Sequence, residues 1–286
     1  TLNRPTVFNS FNKTMALQLQ DVLDDCAVNP EIRAVLITGE GKAFCAGQDL
    51  AEAIDPEGPE LKTIVRDHYN PIIIKIRELE KPVIAAVNGV AAGAGANIAL
   101  ACDIVVAKKT ASFIQAFSKI GLIPDSGGTY FLPRLVGMQK AMALMMTGDK
   151  VSADEAERMN MIYKVFEEES FEDEAMKLAE NLATMPTRGL GLTKKAVNLG
   201  LFNSLEDQLD LEETQQFIED FLRSRIEIAF EQSDALFNSK KLLFFFGIDD
   251  NHLIIFLPLK RVEDLRKKRK IIFVYESESV SSQSRL

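Results

Sequence analysis

Histidine is nearly missing from this chain: His68 and His252 are the only two in 286 residues. Histidine-based metal sites and Ser-His-Asp chemistry therefore have few parts to draw on. Cysteine is almost as scarce. Cys26, Cys45 and Cys102 are odd in number, widely spaced and without a C-x-x-C pair, which suits reduced thiols in a cytosol-like, cytoplasmic setting better than a disulfide scaffold or a zinc site. They read as small apolar fillers. No uninterrupted apolar run is long enough to span a bilayer, so no membrane role is expected. Positive charge is in deficit: the formal net charge is -9, a field that repels nucleic acid and obliges any polyanionic ligand to find a local basic patch. Asp, Glu, Tyr and backbone amides remain for chemistry.

What is present reads as an α/β chain. The composition, 47% hydrophobic and 26% charged, is that of a globular protein, and 286 residues fit one large domain or a domain with an appendage. The chain opens at Thr1 with no visible targeting peptide, and the opening suits an N-terminally clipped fragment. Residues 13–27 carry helical spacing, and Arg33–Gly39 (RAVLITG) is a short β-rich run ended by glycine. After a loop over Glu40–Leu50, a second helix is predicted over 60–80, then a buried strand over Pro82–Val87 that Asn88–Gly89 terminates. The apolar stretch 82–107 is interrupted by Asn88, Gly89, Gly93, Gly95, Asn97 and Asp103, so it parses as strand, turn, helix, strand rather than a membrane helix. From about residue 126 the pattern is mainly helical; beyond roughly 221 it loses consistent periodicity. The expected division is a core over 1–195, a C-terminal helical region over 196–222 and an atypical tail over 223–286, poorly ordered or aberrant.

Two segments invite chemistry. Lys42–Leu50 (KAFCAGQDL) follows the RAVLITG strand, and small residues with Gly47 at a strand-to-helix junction leave backbone N–H groups accessible to an anionic oxygen. Gly93–Ala94–Gly95 follows another strand and opens another helix, offering the same donors from a second direction with help from the helix dipole. Either alone is weak, since Gly/Ala-rich turns usually serve packing.

FCAGQDL, KPVIAAVNGVAAGAG, ACDIVVA, IGLIPDSGGT, ALMMTG and SADEA stand in the order seen in the enoyl-CoA hydratase/isomerase (crotonase) superfamily, and the chain resembles that family from about residue 1 to about 220. The resemblance implies a spiral of ββα repeats with a helical C-terminal trimerisation region, and a strand ahead of LNRP. It assigns the amides of Gln48 and Ala94 as an oxyanion hole, with Ala46, Asp49 and Leu50 lining the CoA path and Gly93, Asn97 and Phe117 at the substrate. Hydratases of the superfamily carry two glutamates that position water and move a proton; those places hold Asn97 and Phe117 here, and neither side chain can titrate. Simple hydratase activity is therefore not expected.

Asp125 lies where isomerases of the superfamily place their acidic residue, and AAGAGANIALACDIVVA, FIQAFSKIGLIPDSGGT and LPRLVG look most like the 1,2-epoxyphenylacetyl-CoA isomerase branch. One carboxylate suits isomerisation, because one base can take a proton from one carbon and return it to another. Phe117, Ile120, Leu122 and Ile123, if they surround Asp125, would raise its pKa. The alternative is that Asp125 caps the helix starting at Ser126–Gly127.

Other candidates rank lower. Asp103 is expected to fix a strand or turn, His68 to face solvent or bond locally, Lys194 and Lys195 to lie on a solvated helix face rather than at CoA phosphates, and Met142, Met145 and Met146 to fill core. Ser126–Thr129 is followed by no G-K-[ST] and is not an NTPase phosphate loop. The expected activity is isomerisation of an acyl-CoA thioester, a double-bond shift or ring-epoxide opening, with no separate cofactor, no metal, and assembly as a homotrimer or dimer of trimers. The alternatives are an enoyl-CoA hydratase and a catalytically silent acyl-CoA-binding module.

Overall fold

The computed structural model describes residues 1–216, and the backbone alone of Phe244–Ile248 and Asn251–Ile255. The chain divides into two compact units, Thr1–Leu211 and Glu212–Leu286.

In the first unit, the first six strands alternate between two sheets. β1 (Val35–Thr38), β3 (Val83–Val87), β5 (Ile104–Lys108) and β8 (Lys164–Phe166) form one sheet in the order β1-β3-β5-β8, all parallel, with Ile37 opposite Ala85 and Ala85 opposite Val105. β2 (Ala43–Cys45), β4 (Val90–Ala92), β6 (Ser112–Ile114) and β7 (Lys150–Ser152) form the other in the order β2-β4-β6-β7, of which β2, β4 and β6 run parallel and β7 antiparallel. Each pair is followed by helix: residues 50–78 after β2, Ala94–Ala101 after β4, and Ala116–Ile120 with Gly128–Val136 after β6. This is the spiral of ββα repeats implied by the resemblance.

The expected strands over 33–39, 82–87 and 103–107 are present. β3 is buried at every position, as a parallel strand covered on both faces must be. One face meets the main core; Ile84, Ala86 and Val106 meet Phe171, Ala175 and Ala179 of helix Phe171–Thr184 on the other. β2 and β4 correct the expectation, because the first falls in the predicted loop and the second in the small-residue stretch read as turn and helix. Three-residue strands show no period, and what makes them strands is the neighbour they pair with. The turn between β3 and β4 is held by Asn88, whose Oδ1 accepts from Gly39 N at 3.1 Å and whose Nδ2 donates to Gly41 O at 3.0 Å. A Cβ on Gly89 would stand 2.2 Å from Lys42 O, so only glycine lets the two turns meet.

The predicted helix over 60–80 has an irregular middle. Leu61–Thr63 is α-helical, Ile64–Tyr69 is a π turn in which Asn70 N donates to Val65 O, and Asn70–Glu78 resumes the α-helix. Pro71 has no N–H to give to the carbonyl of Asp67. Gln20 Nε2 supplies the missing donor, bonding Asp67 O at 2.8 Å and His68 O at 3.0 Å. His68 is buried inside this turn, not facing solvent.

Asp103 ties the core to the C-terminal helix Thr187–Leu199 as a local fixer. Its Oδ2 accepts from Val83 N at 2.9 Å and from Lys194 Nζ at 2.8 Å, and its Oδ1 lies 3.3 Å from Arg77. Lys194 also donates to Ile76 O at 2.6 Å, and its side chain is only 7% exposed, which corrects the solvated-face reading. Burial holds its ammonium below the usual lysine range, while the Asp103 carboxylate opposes that shift.

In the second unit, β9 (Phe244–Ile248) and β10 (Asn251–Ile255) pair antiparallel with Phe246 opposite Leu253. The rest of the expected tail over 223–286 lies outside the described residues. No helix among the described residues is long and apolar enough to cross a membrane.

Candidate active site

The three segments singled out from sequence leave the carboxyl ends of three neighbouring parallel strands. β2 ends at Cys45 and leads into 46–50, β4 ends at Ala92 and leads into 93–95, and β6 ends at Ile114 and leads through Phe117 to Asp125.

Along the first segment most amides are spoken for. Ala46 N donates to Phe8 O at 3.0 Å, Gly47 N to Cys45 Sγ at 3.4 Å, and Asp49 N to Phe11 O at 2.8 Å. Among the described residues, Gln48 N–H has no acceptor. Gly47 has φ +93, and a Cβ there would stand 2.9 Å from Ala92 O and 3.4 Å from Ala94 N. The first two segments therefore meet at this glycine.

The second segment starts with Gly93 at φ 53, whose N–H donates to Ile114 O at 2.9 Å. Ala94 is the first residue of the wholly buried helix Ala94–Ala101, so its N–H has no partner within the helix and none elsewhere among the described residues. The helix dipole adds partial positive charge at that end. Phe117, also buried, places its ring 3.8 Å from where a Cβ on Gly93 would be.

Asp125 sits in a tight turn with Ser126 at φ 50 and Gly127 at φ 73. Its carbonyl accepts from Gly128 N and from Asn97 Nδ2, both at 2.8 Å. Asn97 is fully buried, and its Oδ1 accepts from Gln115 Nε2 at 2.8 Å, so both halves of its amide are used. Helix Gly128–Val136 is capped by Gly127 with no side-chain bond. The Asp125 carboxylate thus does not cap; its Oδ1 accepts from Ser126 Oγ at 2.8 Å. Burial pushes this half-buried carboxyl above the usual carboxylate range, against the opposing Ser126 hydroxyl. Ile120, Leu122 and Ile123 do not form the apolar wall expected; they are exposed, Ile123 at 82%.

Tyr69 was not among the candidates. It is 1% exposed, donates to Gln48 Oε1 at 2.7 Å, and lies where the charges of Asp125, Glu52 and Asp49 act on it. Burial first, then those charges, push its hydroxyl far up, so it stays a donor. The π turn that aims it is signalled only by Pro71 in the same HYNP run as His68.

The remaining candidates flank the site. Ala46 and Leu50 are exposed, and Asp49 pairs with Arg4 at 2.8 Å while accepting from Ala51 N at 3.0 Å, contacts that hold its carboxyl low. Burial pushes Cys45 up to about 12, which leaves it an unreactive thiol. Lys194 and Lys195 line a separate cavity of about 750 Å³ with Arg77 and Phe202. No cluster of three or more His, Cys, Asp or Glu able to hold a metal occurs among the described residues.

Residues 1–227 match the family described as Enoyl-CoA hydratase/isomerase. The chain is 50% identical over 219 residues to the 1,2-epoxyphenylacetyl-CoA isomerase of Escherichia coli K12, covering 76% of this chain and 84% of that protein. It is 45% identical over 212 residues to a probable enoyl-CoA hydratase of Rhodobacter capsulatus, covering 74% and 81% respectively. Its fold matches the crystal structure of a putative enoyl-CoA hydratase/isomerase from Mycobacterium abscessus with TM-score 0.73 and 34% identity, covering 80% of this chain and 90% of that one. The chain belongs to the enoyl-CoA hydratase/isomerase family and has the crotonase fold.

Proposed function

We propose that this family member is an acyl-CoA isomerase that works through a thioester enolate, with Asp125 as its one acid/base and the Gln48 and Ala94 amides as an oxyanion hole. The observation that carries the reading is the pairing of two acceptor-free amides meeting at Gly47 with a half-buried, uncapping carboxylate whose pKa burial has raised. For a double-bond shift, the Asp125 carboxylate takes the proton from the carbon between the thioester and the alkene. The electron pair moves onto the carbonyl oxygen, which the two N–H groups hold as the enolate. The carboxylic acid then returns the proton to the far carbon of the conjugated system, and the carbonyl and carboxylate are restored. A raised pKa suits a group that must both take and return a proton. Removing one donor of such a hole raises the barrier by about 2.7–4 kcal/mol.

Neither hydratase glutamate position can contribute here, since Asn97 is a buried strut and Phe117 a ring. The same proposal takes an acyl-CoA thioester as substrate, needs no cofactor, and assembles as a homotrimer or a dimer of trimers. The 50% identity to a 1,2-epoxyphenylacetyl-CoA isomerase supports a ring epoxide as the second substrate type to test. The deciding experiment supplies a β,γ-enoyl-CoA and an aryl-epoxide thioester side by side with crotonyl-CoA. Isomerised product from either of the first two, abolished by Asp125→Asn with thioester affinity retained, is expected. Hydration of crotonyl-CoA as the only reaction would overturn the reading, as would full turnover in Asp125→Asn.

A further inference from the structure

Gly47 lends the first amide its position and also its weakness, because a residue at φ +93 with no side chain is easily displaced. Something must hold the peptide plane between Gly47 and Gln48. Phe11 does part of this, its N–H donating to Gly47 O at 2.7 Å and its carbonyl accepting from Asp49 N at 2.8 Å. The rest runs through the Gln48 side chain. Oε1 accepts from the Tyr69 hydroxyl at 2.7 Å, and Nε2 donates to Glu52 Oε2 at 2.9 Å. Glu52 Oε1 in turn accepts from Lys13 N at 2.9 Å, at the start of the helix Lys13–Val28. The Tyr69 ring meets the Phe11 ring edge to face, centroids 5.8 Å apart.

We propose that Tyr69 is a positioning residue for the thioester oxygen: through its hydroxyl on Gln48 and its ring on Phe11 it fixes the direction of the Gln48 N–H. This rests on the oxyanion-hole reading above. Tyr69 is too deeply buried to touch substrate, and its hydroxyl is already committed to Gln48. Its influence therefore passes through the peptide it aims. The π turn serves this arrangement, since it carries Tyr69 on the helix Gln20 has recapped at Asp67 and His68.

The test uses benzoyl-CoA, which has no hydrogen on the carbon beside its thioester and can be neither isomerised nor hydrated. Hydrogen bonds that polarise its carbonyl shift its ultraviolet band to longer wavelength on binding. The intact protein is expected to give the shift. Tyr69→Phe, which keeps the ring, is expected to reduce it with Kd changed less than about twofold, and to lower kcat on a β,γ-enoyl-CoA by roughly tenfold at nearly constant KM, the size set by one lost hydrogen bond. Gln48→Met retains the backbone N–H and is expected to show the same two effects. The double variant should be no worse than either single one, as for two links of one chain. A full shift and full kcat in Tyr69→Phe would overturn the positioning role alone. Absence of any shift in the intact protein with benzoyl-CoA bound would overturn the oxyanion hole and this role together. Should Tyr69→Phe fail to fold, Gln48→Met decides by the same readouts.

Discussion

Asn97 Nδ2 donates to the main-chain carbonyl of Asp125 at 2.8 Å. The buried Asn97 side chain thereby supports the turn that carries the carboxylate proposed as the acid/base. A Cβ on Gly128 would stand 2.3 Å from Asn97 Nδ2, so the turn carrying Asp125 lies directly on this amide. Substituting a carboxylate removes the donor and sets negative charge against a carbonyl in a site with no exposure. Asn97→Glu is expected to lose stability by about 2 kcal/mol or more and to show no gain in crotonyl-CoA hydration. Urea midpoints and a hydration assay check both halves.

Gly47→Ala tests the meeting of the two amide segments. The new Cβ would fall 2.9 Å from Ala92 O on a backbone at φ +93. The β2–β4 junction must open or the residue must bear strain of about 1–3 kcal/mol. Thermal unfolding should report the lost stability, and kcat is expected to fall more than thioester affinity.

Asp125 carries a pH signature in stability. Its folded pKa is raised by burial, so the native state binds this proton more tightly than the unfolded chain. Stability from this group is complete below the ordinary carboxylate range and is lost as pH rises through the raised pKa. Asp125→Asn should therefore unfold at a higher temperature than the unsubstituted protein at neutral pH, the advantage shrinking as pH falls through the raised pKa and vanishing below about 4. Turnover in the unsubstituted protein runs the opposite way, falling as the base is protonated. Calorimetry and a pH–rate profile across the same range measure the two trends.

Lys194→Met removes the ammonium from the knot with Asp103 and leaves Arg77 and Val83 N as the partners of that carboxylate. A loss of about 1.5–3 kcal/mol is expected from the charged bonds, with benzoyl-CoA affinity unchanged. Chemical denaturation and ligand titration separate these outcomes.

The sequence made the strands over 33–39, 82–87 and 103–107 legible because buried parallel strands are continuous apolar runs. It made Gly47, Gly93 and Asp125 legible because glycine at a strand end and a lone acid after Pro124 are local signals. β2 and β4 were hidden: three residues cannot show a period, and their status as strands lies in the partners they meet. Tyr69 was hidden for another reason. Its place depends on Pro71 denying a donor to Asp67 and on Gln20, 49 positions earlier, supplying one. Lys194 belongs to the same class, since a helix-face pattern carries no sign of Asp103 beneath it.

The parallel pairing of β2 with β4 also sets a length. Hydrogen-bonded strands stand about 4.8 Å apart. Two N–H donors converging on one oxygen at about 2.9 Å each, with a near-tetrahedral angle between them, need nitrogens separated by roughly 4.7 Å. The spacing of the β2 and β4 ends, from which the Gln48 and Ala94 segments leave, is thus of the same size as the separation that the proposed sharing of one oxygen requires.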